Sequence, residues 1–416
     1  MARTLGRVAG GARRGDLRPE RGGRSPWRPS SPSGVLRRAS LTLLALLLVA
    51  GLLSACGGQG VQQVLQDSWT GYKHDFVRGS GRIVDPKRGD LTTSEGQSYG
   101  MLRAVWMDDR STFDQVWKWT RSNLQVRGDH LLAYLWGASE RGRSEVLSMD
   151  TATDADEDVT LALIFANHRW HDQSYLDAIR PMLGDIWNKE VGMVNGSPYI
   201  AAGDWATQYS EGGLVVNPSY FAPASYRVFQ GADSSHPWSW LANASYRALS
   251  ACSRSRLDAE RSVGLPPNWC VIDGLGVHSY WDKWGGDAYG YDAFRSMWRI
   301  ALDQQWFRAP QARSYLDAST FLRRQWRSND RLAAAYTHDG NEDPAGEDPT
   351  TYGGDIGNFV VADPSVAETI MHRKLLSTVH QWHGVTYFGE RSNYFEQNWV
   401  WFGVALAGQQ LPNLAS

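Results

Sequence analysis

Cysteine is scarce in this chain: three residues in 416, at positions 56, 252 and 270. Charge of one sign is missing too. Forty-two Lys and Arg stand against 44 Asp and Glu, for a net charge of −2, so no global basic field points to nucleic acid or to acidic polymers. The basic cluster that stands out is Arg-rich and confined to the first 38 positions. The apolar segment Leu41–Leu53 is thirteen residues long, whereas a membrane-spanning helix needs about 20. There is no His-Glu-x-x-His zinc pattern, and the glycines form no phosphate-binding loop. Alternation of period two dominates nowhere. What the chain has in excess is aromatic: 20 Trp and 17 Tyr, more than one core of this size needs.

The N-terminal 56 residues read as a leader. Residues 1–34, rich in Arg, Gly, Ser and Pro, suit a disordered prefix. Translation from Val35 would omit that prefix; precursor peptides from residues 1–34 would refute such a start. Residues 35–56 carry Arg37-Arg38, the apolar segment and then Leu53-Ser54-Ala55-Cys56. The arrangement suits a signal peptide and resembles a bacterial lipobox, which implies lipidation of Cys56 and an exported, membrane-anchored protein, periplasmic or at the cell surface. Cys252 and Cys270 remain. A disulfide between them would close a loop of about eighteen residues, which the chain-entropy model values at about 3 kcal/mol. The intervening Gly264-Leu-Pro-Pro turn could bring the ends together. Two buried thiols are the other reading.

Residues 57–416 read as one domain, because no linker or internal repeat divides them. Helical spacing recurs at 61–76, 96–107, 111–124, 130–139, 158–170, 174–189, 218–229, 236–252, 290–305, 310–327, 364–377 and 394–408. The stretch Asp339–Pro349, dense in Gly, Asp and Pro, reads as a loop. About a dozen helices suggest an all-α domain of stacked helical hairpins.

The densest chemistry lies at Asp150-Thr-Ala-Thr-Asp154-Ala-Asp156-Glu157-Asp158, where five carboxylates run into the apolar stretch Val159–Ala166. Acids are favoured where a helix starts, but burying several is costly unless each has a partner or a task. A calcium loop needs Gly at its sixth position and Glu at its twelfth. Counting from Asp154, those positions hold Val159 and Phe165. A second acid, Glu95, stands alone in Ser94-Glu95-Gly-Gln-Ser-Tyr-Gly-Met101. Two separated acids at helix starts suit acid/base work on a neutral substrate.

Four segments together resemble glycoside hydrolase family 8. They are Ala152-Thr-Asp154-Ala-Asp156 continuing through Ala166 to Trp170, the Glu95 element, Tyr291-Asp292-Ala-Phe-Arg295 with Trp298-Arg299, and Tyr394-Phe-Glu-Gln397-Asn398 with Phe402-Gly403. Val159 and Thr160 depart from the family's usual residues by packing-sized changes. The resemblance implies an (α/α)6 barrel with the active-site cleft at one end. It also implies an inverting hydrolase of β-linked polysaccharide, with Glu95 as general acid, Asp292 as general base and Asp154 in the central sugar subsite. An acid must carry its proton when it acts, so the pocket of Glu95 should disfavour charge, with Asp154 as the expected source of a neighbouring negative charge. Arg295, one turn from Asp292, could hold that carboxylate ionised. Asp156, Glu157 and Asp158 are expected to cap, to pair with arginine or to face water.

A flat aromatic face stacks well on a sugar ring, and Trp136, Trp205, Tyr220, Tyr291 and Tyr394 are the candidate platforms. An endo-β-1,4-glucanase is the expected activity. It would act as a monomer on a β-glucan, without cofactor, metal or nucleic acid. A xylanase, lichenase or chitosanase on the same scaffold stays open, and so does a non-catalytic glycan-binding lipoprotein. A chitosanase would want further acids in the cleft, with Asp204 and Glu211 as candidates.

Overall fold

Helices in this chain alternate between two burial patterns, and the alternation builds the architecture. A computed structural model describes residues 60–209, 213–280, 286–343 and 346–416. The leader, Cys56 and Glu211 lie outside these residues. Among them no helix is long and apolar enough to cross a membrane.

Six helices are buried along most of their length: α2 (Ser94–Trp106), α4 (Thr153–Trp170), α6 (Pro223–Ala232), α8 (Arg295–Phe307), α11 (Pro349–Ala362) and α13 (Tyr394–Ala407). A helix apolar on all sides must be enclosed by others. The partners that enclose them are α1 (60–76), α3 (Arg110–Asn123), α5 (Gln173–Lys189), α7 (Trp238–Arg254), α9 (Pro310–Ala318) with α10 (Phe321–Asn329), and α12 (Pro364–Ile370). Several of these show one apolar and one solvated face; α3, for example, buries Phe113, Val116, Trp117 and Trp119. The inner helices pack in the order α2–α4–α6–α8–α11–α13. Arg103 of α2 closes the ring by donating to the Gln397 carbonyl at 3.2 Å and to Asn398 at 3.1 Å on α13. The result is an (α/α)6 barrel.

Aromatic rings fill the axis. Trp106, Phe165, Trp298, Trp399, Trp401 and Phe402 pack edge to face, tilted or stacked, with centroids 5.3–6.5 Å apart. Each large side chain buried there stabilises the fold by about 1.5–3 kcal/mol before entropy is counted. The crossing of α11 and α13 is close enough to exclude side chains at its centre. Gly353 of α11 and Gly403 of α13 face each other, and a Cβ on Gly353 would stand 2.1 Å from the Trp399 carbonyl oxygen.

Short antiparallel sheets, none closed, occupy the connections into inner helices. They are β1 (Thr92–Thr93) with β2 (Leu135–Ala138) and β3 (Ser144–Ser148), β4 (Val191–Val194) with β5 (Ser197–Ile200), β6 (Leu214–Val216) with β7 (Cys270–Asp273) and β8 (Gly276–Ser279), and β9 (Val379–Trp382) with β10 (Val385–Phe388).

Four expectations need correction. The apolar run 130–139 is not helical, because its backbone pairs outward: Ala133 N–H with the Leu124 carbonyl, Tyr134 N–H with that of Asp150, and Leu135–Ala138 with β3. The helix expected over 310–327 breaks at Ser319-Thr320 into α9 and α10. The helix α11 went unforeseen because the glycines that read as breakers are what let its backbone approach α8 and α13. Cys252 and Cys270 are buried free thiols rather than a disulfide. They are neighbours, as the turn suggested, and burial together with the Cys252 thiol pushes the Cys270 thiol up.

Candidate active site

The inner helices begin at one end of the barrel, and their first residues carry the acids. Thr93 caps α2 by accepting from Gly96 N–H at 3.0 Å, which leaves Glu95 in the first turn, where the helix dipole favours a carboxylate. Asp154 holds the equivalent place on α4. Asp292 stands in the turn that leads into α8, and Tyr394 is the first residue of α13. Four helices far apart in sequence therefore deliver their polar groups to one place.

One guanidinium gathers them. Arg295 donates from Nη1 to Glu95 Oε2 at 2.9 Å, to Asp154 Oδ2 at 3.0 Å and to the Tyr99 hydroxyl at 3.2 Å. Its Nη2 donates to Asp292 Oδ1. The Arg295 side chain is 1% exposed and Asp154 is 2% exposed, whereas Glu95 and Asp292 are 20% and 34% exposed. The two expected chemical groups therefore face the cleft, and the other two lie beneath them. Tyr394 donates to the second oxygen of Glu95 at 2.7 Å, and Trp269 Nε1 donates to Asp292 Oδ2 at 3.2 Å.

Burial pushes the Asp154 carboxyl up to about 7; Arg295 pulls it down and Glu95 pushes it up further. The negative charge expected beside Glu95 is thus itself dependent on pH. Burial works against the charge of Arg295, yet the surrounding Tyr99, Asp292, Asp154 and Glu95 hold it protonated above its usual range. The hydroxyls of Tyr99, Tyr220 and Tyr394 are pushed up, by burial first, and remain donors.

Glu95, Asp154 and Asp292 share a cavity of about 380 Å³ with Trp205, Tyr220, Tyr134, Asp150 and Trp269. A groove of about 620 Å³ between α7 and α9 is larger, but it carries no carboxylate and lies away from these groups. Trp205 is 43% exposed, and its Nε1 donates to the Thr151 carbonyl at 3.3 Å. That tight seat requires Gly203, where a Cβ would stand 2.5 Å from both the Thr151 oxygen and the Trp205 nitrogen. Tyr220 is buried with its ring 5.4 Å from the Arg295 guanidinium. Tyr291 is exposed beside Asp292 and donates to Asp348 at 2.5 Å, outside the cavity lining.

Trp136 is not brought to the cavity. Arg82 covers its ring at 4.3 Å, and Trp119 meets it edge to face. Asp156, Glu157 and Asp158 do not face water. Asp156 accepts from Leu132 N–H at 2.9 Å, Glu157 accepts from Tyr226 at 2.7 Å, and Asp158 takes both nitrogens of Arg299 at 2.8 and 3.0 Å. Asp204 is held by Arg127 and caps around Thr151, so it offers no free acid to the cleft. Sequence reading missed Trp269, Tyr134 and Tyr99 as site residues. Trp269 sits next to Cys270 in an unremarkable apolar run, and only the β6–β7–β8 sheet turns it toward Asp292.

A family model, Glycosyl hydrolases family 8, matches residues 35–400. Endoglucanase C of Ruminiclostridium cellulolyticum is 30% identical over 298 residues, which are 70% of this chain and 55% of that protein. The chain spans about half the length of the curated relatives it matches first. Solved structures share the fold, among them two glucanases. The endo-beta-1,4-glucanase CMCax from Acetobacter xylinum has a TM-score of 0.66 at 21% identity, covering 84% of this chain and 99% of that one. The beta-1,3-1,4-glucanase from Paenibacillus sp. X4 has a TM-score of 0.70 at 19% identity, covering 84% and 93%.

Proposed function

The chain belongs to family 8 of the glycosyl hydrolases, and on that premise we propose that it is an inverting endo-β-1,4-glucanase acting on cellulose or a related β-glucan. One observation carries the reading: two partly exposed carboxylates, Glu95 in the first turn of α2 and Asp292 in the turn before α8, meet opposite ends of the Arg295 guanidinium in a cavity flanked by Trp205 and Trp269.

The chemistry follows from the placement. Glu95 protonates the leaving glycosidic oxygen, and Tyr394 fixes the rotamer that presents the proton. Asp292 takes a proton from a water that attacks the anomeric carbon on the opposite face, in one step. Asp154 accepts from hydroxyls of the central sugar and favours its distorted form. Arg295 keeps three acids in register and offsets their mutual repulsion. Trp205 supplies an apolar face for a neighbouring sugar ring.

The xylanase, lichenase and chitosanase readings use the same machinery. Pairing of Asp204 with Arg127 leaves a cationic sugar less to bind, which favours a neutral glucan. A non-catalytic glycan-binding protein would have no use for three acids held in one register. Export and lipid attachment at Cys56, and action as a single chain, belong to the same proposal; the first two rest on the leader's sequence. The test is reducing-sugar release by the chain lacking its leader, on carboxymethyl cellulose, mixed-linkage glucan, xylan and chitosan. Release from the β-glucans above the other two is expected. Activity on xylan or chitosan alone would overturn the substrate, and no activity on any of them would overturn the enzyme.

A further inference from the structure

We infer that Asn268 and Trp269 act together as positioning residues for the turn that carries Asp292; this rests on the reading of Asp292 as the base. A carboxylate that activates water must be aimed, and Asp292 lacks what usually aims a side chain. It is about one-third exposed, and it lies in a turn before α8 rather than within the helix. Arg295 fixes one of its oxygens but is shared with Glu95, Asp154 and Tyr99.

The adjacent pair 268–269 supplies the rest at two levels. Asn268 Oδ1 accepts from Gly290 N–H at 3.2 Å and from Ala293 N–H at 2.9 Å, which fixes the backbone on both sides of Asp292. Trp269 Nε1 then donates to Asp292 Oδ2 at 3.2 Å, which fixes the side chain. The pair is itself anchored. Asn268 N–H reaches the Ala288 carbonyl at 2.7 Å, and Trp269 N–H reaches that of Gly286 at 2.8 Å. The indole is wedged by Trp205, Tyr220 and Tyr280, with centroids 6.1–6.4 Å away. Asn268 is 9% exposed and has no reason of hydration to be there. Arg295 brings charge to Asp292, whereas the indole N–H brings direction without adding charge.

Trp269→Phe keeps the wedge and removes the N–H. Turnover on a soluble β-glucan should fall roughly 3- to 10-fold, the scale of one neutral hydrogen bond. KM should change by less than about twofold, since a phenyl ring still walls the cavity where the indole stood. The acid limb of the pH profile should move to higher pH, because a donated N–H favours a carboxylate's charged form. Asn268→Ala should lower turnover in the same way, and Asn268→Asp, which keeps the accepting oxygens, should recover part of the loss. In an Asp292→Asn background, Trp269→Phe should cost nothing further. Unchanged turnover and pH limb in Trp269→Phe, with KM alone raised, would make Trp269 a stacking surface and overturn the inference, as would additive losses in the double variant. If Asp292→Asn itself keeps its turnover, the base assignment has failed, and that result is read separately from the clamp.

Discussion

Two arginines stand one turn apart on α8 and meet two acids one turn apart on α4, yet they live differently. Arg299 and Asp158 form a closed pair, each about 3% exposed, with both nitrogens on both oxygens. Arg295, in the layer above, serves three carboxylates and a phenol, and two of those acids reach the cleft. The lower layer sets one cation on one anion, bonded two to two. The upper layer sets three carboxylates against one guanidinium, and its buried member, Asp154, has its carboxyl raised to about 7 by burial first and by neighbouring Glu95 after it. The same residue types, at the same spacing, make a structural bolt in one layer and a reactive cluster in the next. Solvent access and stoichiometry separate the two.

The largest expected effect removes a proton carrier from the upper layer. Glu95→Gln keeps the shape and should lower turnover by roughly 10²–10⁴-fold. Oligosaccharide binding, followed by calorimetry, should survive. Near-normal turnover in this variant would take the acid role from Glu95.

Next comes the contrast between the arginines. Arg299→Met leaves Asp158 buried and unpaired, which should lower stability by about 3–5 kcal/mol in denaturant unfolding. Adding Asp158→Leu should restore much of it, and turnover per folded molecule should hold throughout. Arg295→Lys should do the reverse. A point charge cannot bridge three acids, so turnover should fall about 10²-fold through misplacement of the reacting groups, with a smaller change in stability. Equal effects on turnover at both positions would erase the distinction.

A smaller effect concerns the acids left behind α4. Glu190, buried and bonded to Thr151 at 2.6 Å, has its carboxyl pushed up to about 8 by burial. Its folded form therefore holds a proton that the unfolded chain releases above its ordinary value of 4.5. Between those two values the native state binds more protons, so Glu190 alone should make stability fall as pH rises, by about 1 kcal/mol per pH unit, beside the shares of other buried acids such as Asp154 and Asp355. Glu190→Gln should reduce the slope by about that amount in urea titrations at pH 5, 6 and 7; an unchanged slope would contradict the assignment.

How much of this was readable in advance differs by residue. Glu95 and Asp154 stood out as acids at helix starts, whereas the roles of Asp292, Arg295 and Tyr394 were legible only through short runs that resemble the family's motifs. Trp205 was legible from its loop context and Tyr220 from a segment that resembles one of the family's, and the structure lines the cavity with both. Trp136 misled because an apolar run and a tryptophan look alike whether the ring faces a cleft or an arginine. Trp269 and Asn268 were invisible, because their partners lie 22 to 25 residues away across a sheet that no local pattern announces. The helix α11 was hidden for a different reason. Glycine reads as a breaker in solvent, but inside a ring of helices it is the residue that allows contact.

The central claim is that Glu95 and Asp292 act together in a single displacement, and the stereochemistry of the first product tests it most directly. Proton NMR on a fresh digest of a β-1,4-glucan oligosaccharide, read before mutarotation, separates the outcomes. Attack by water from the face opposite the leaving group must give the α-anomer first. Initial appearance of the β-anomer would require a covalent intermediate and carboxyls only about 5–5.5 Å apart, and would contradict Asp292 as the base.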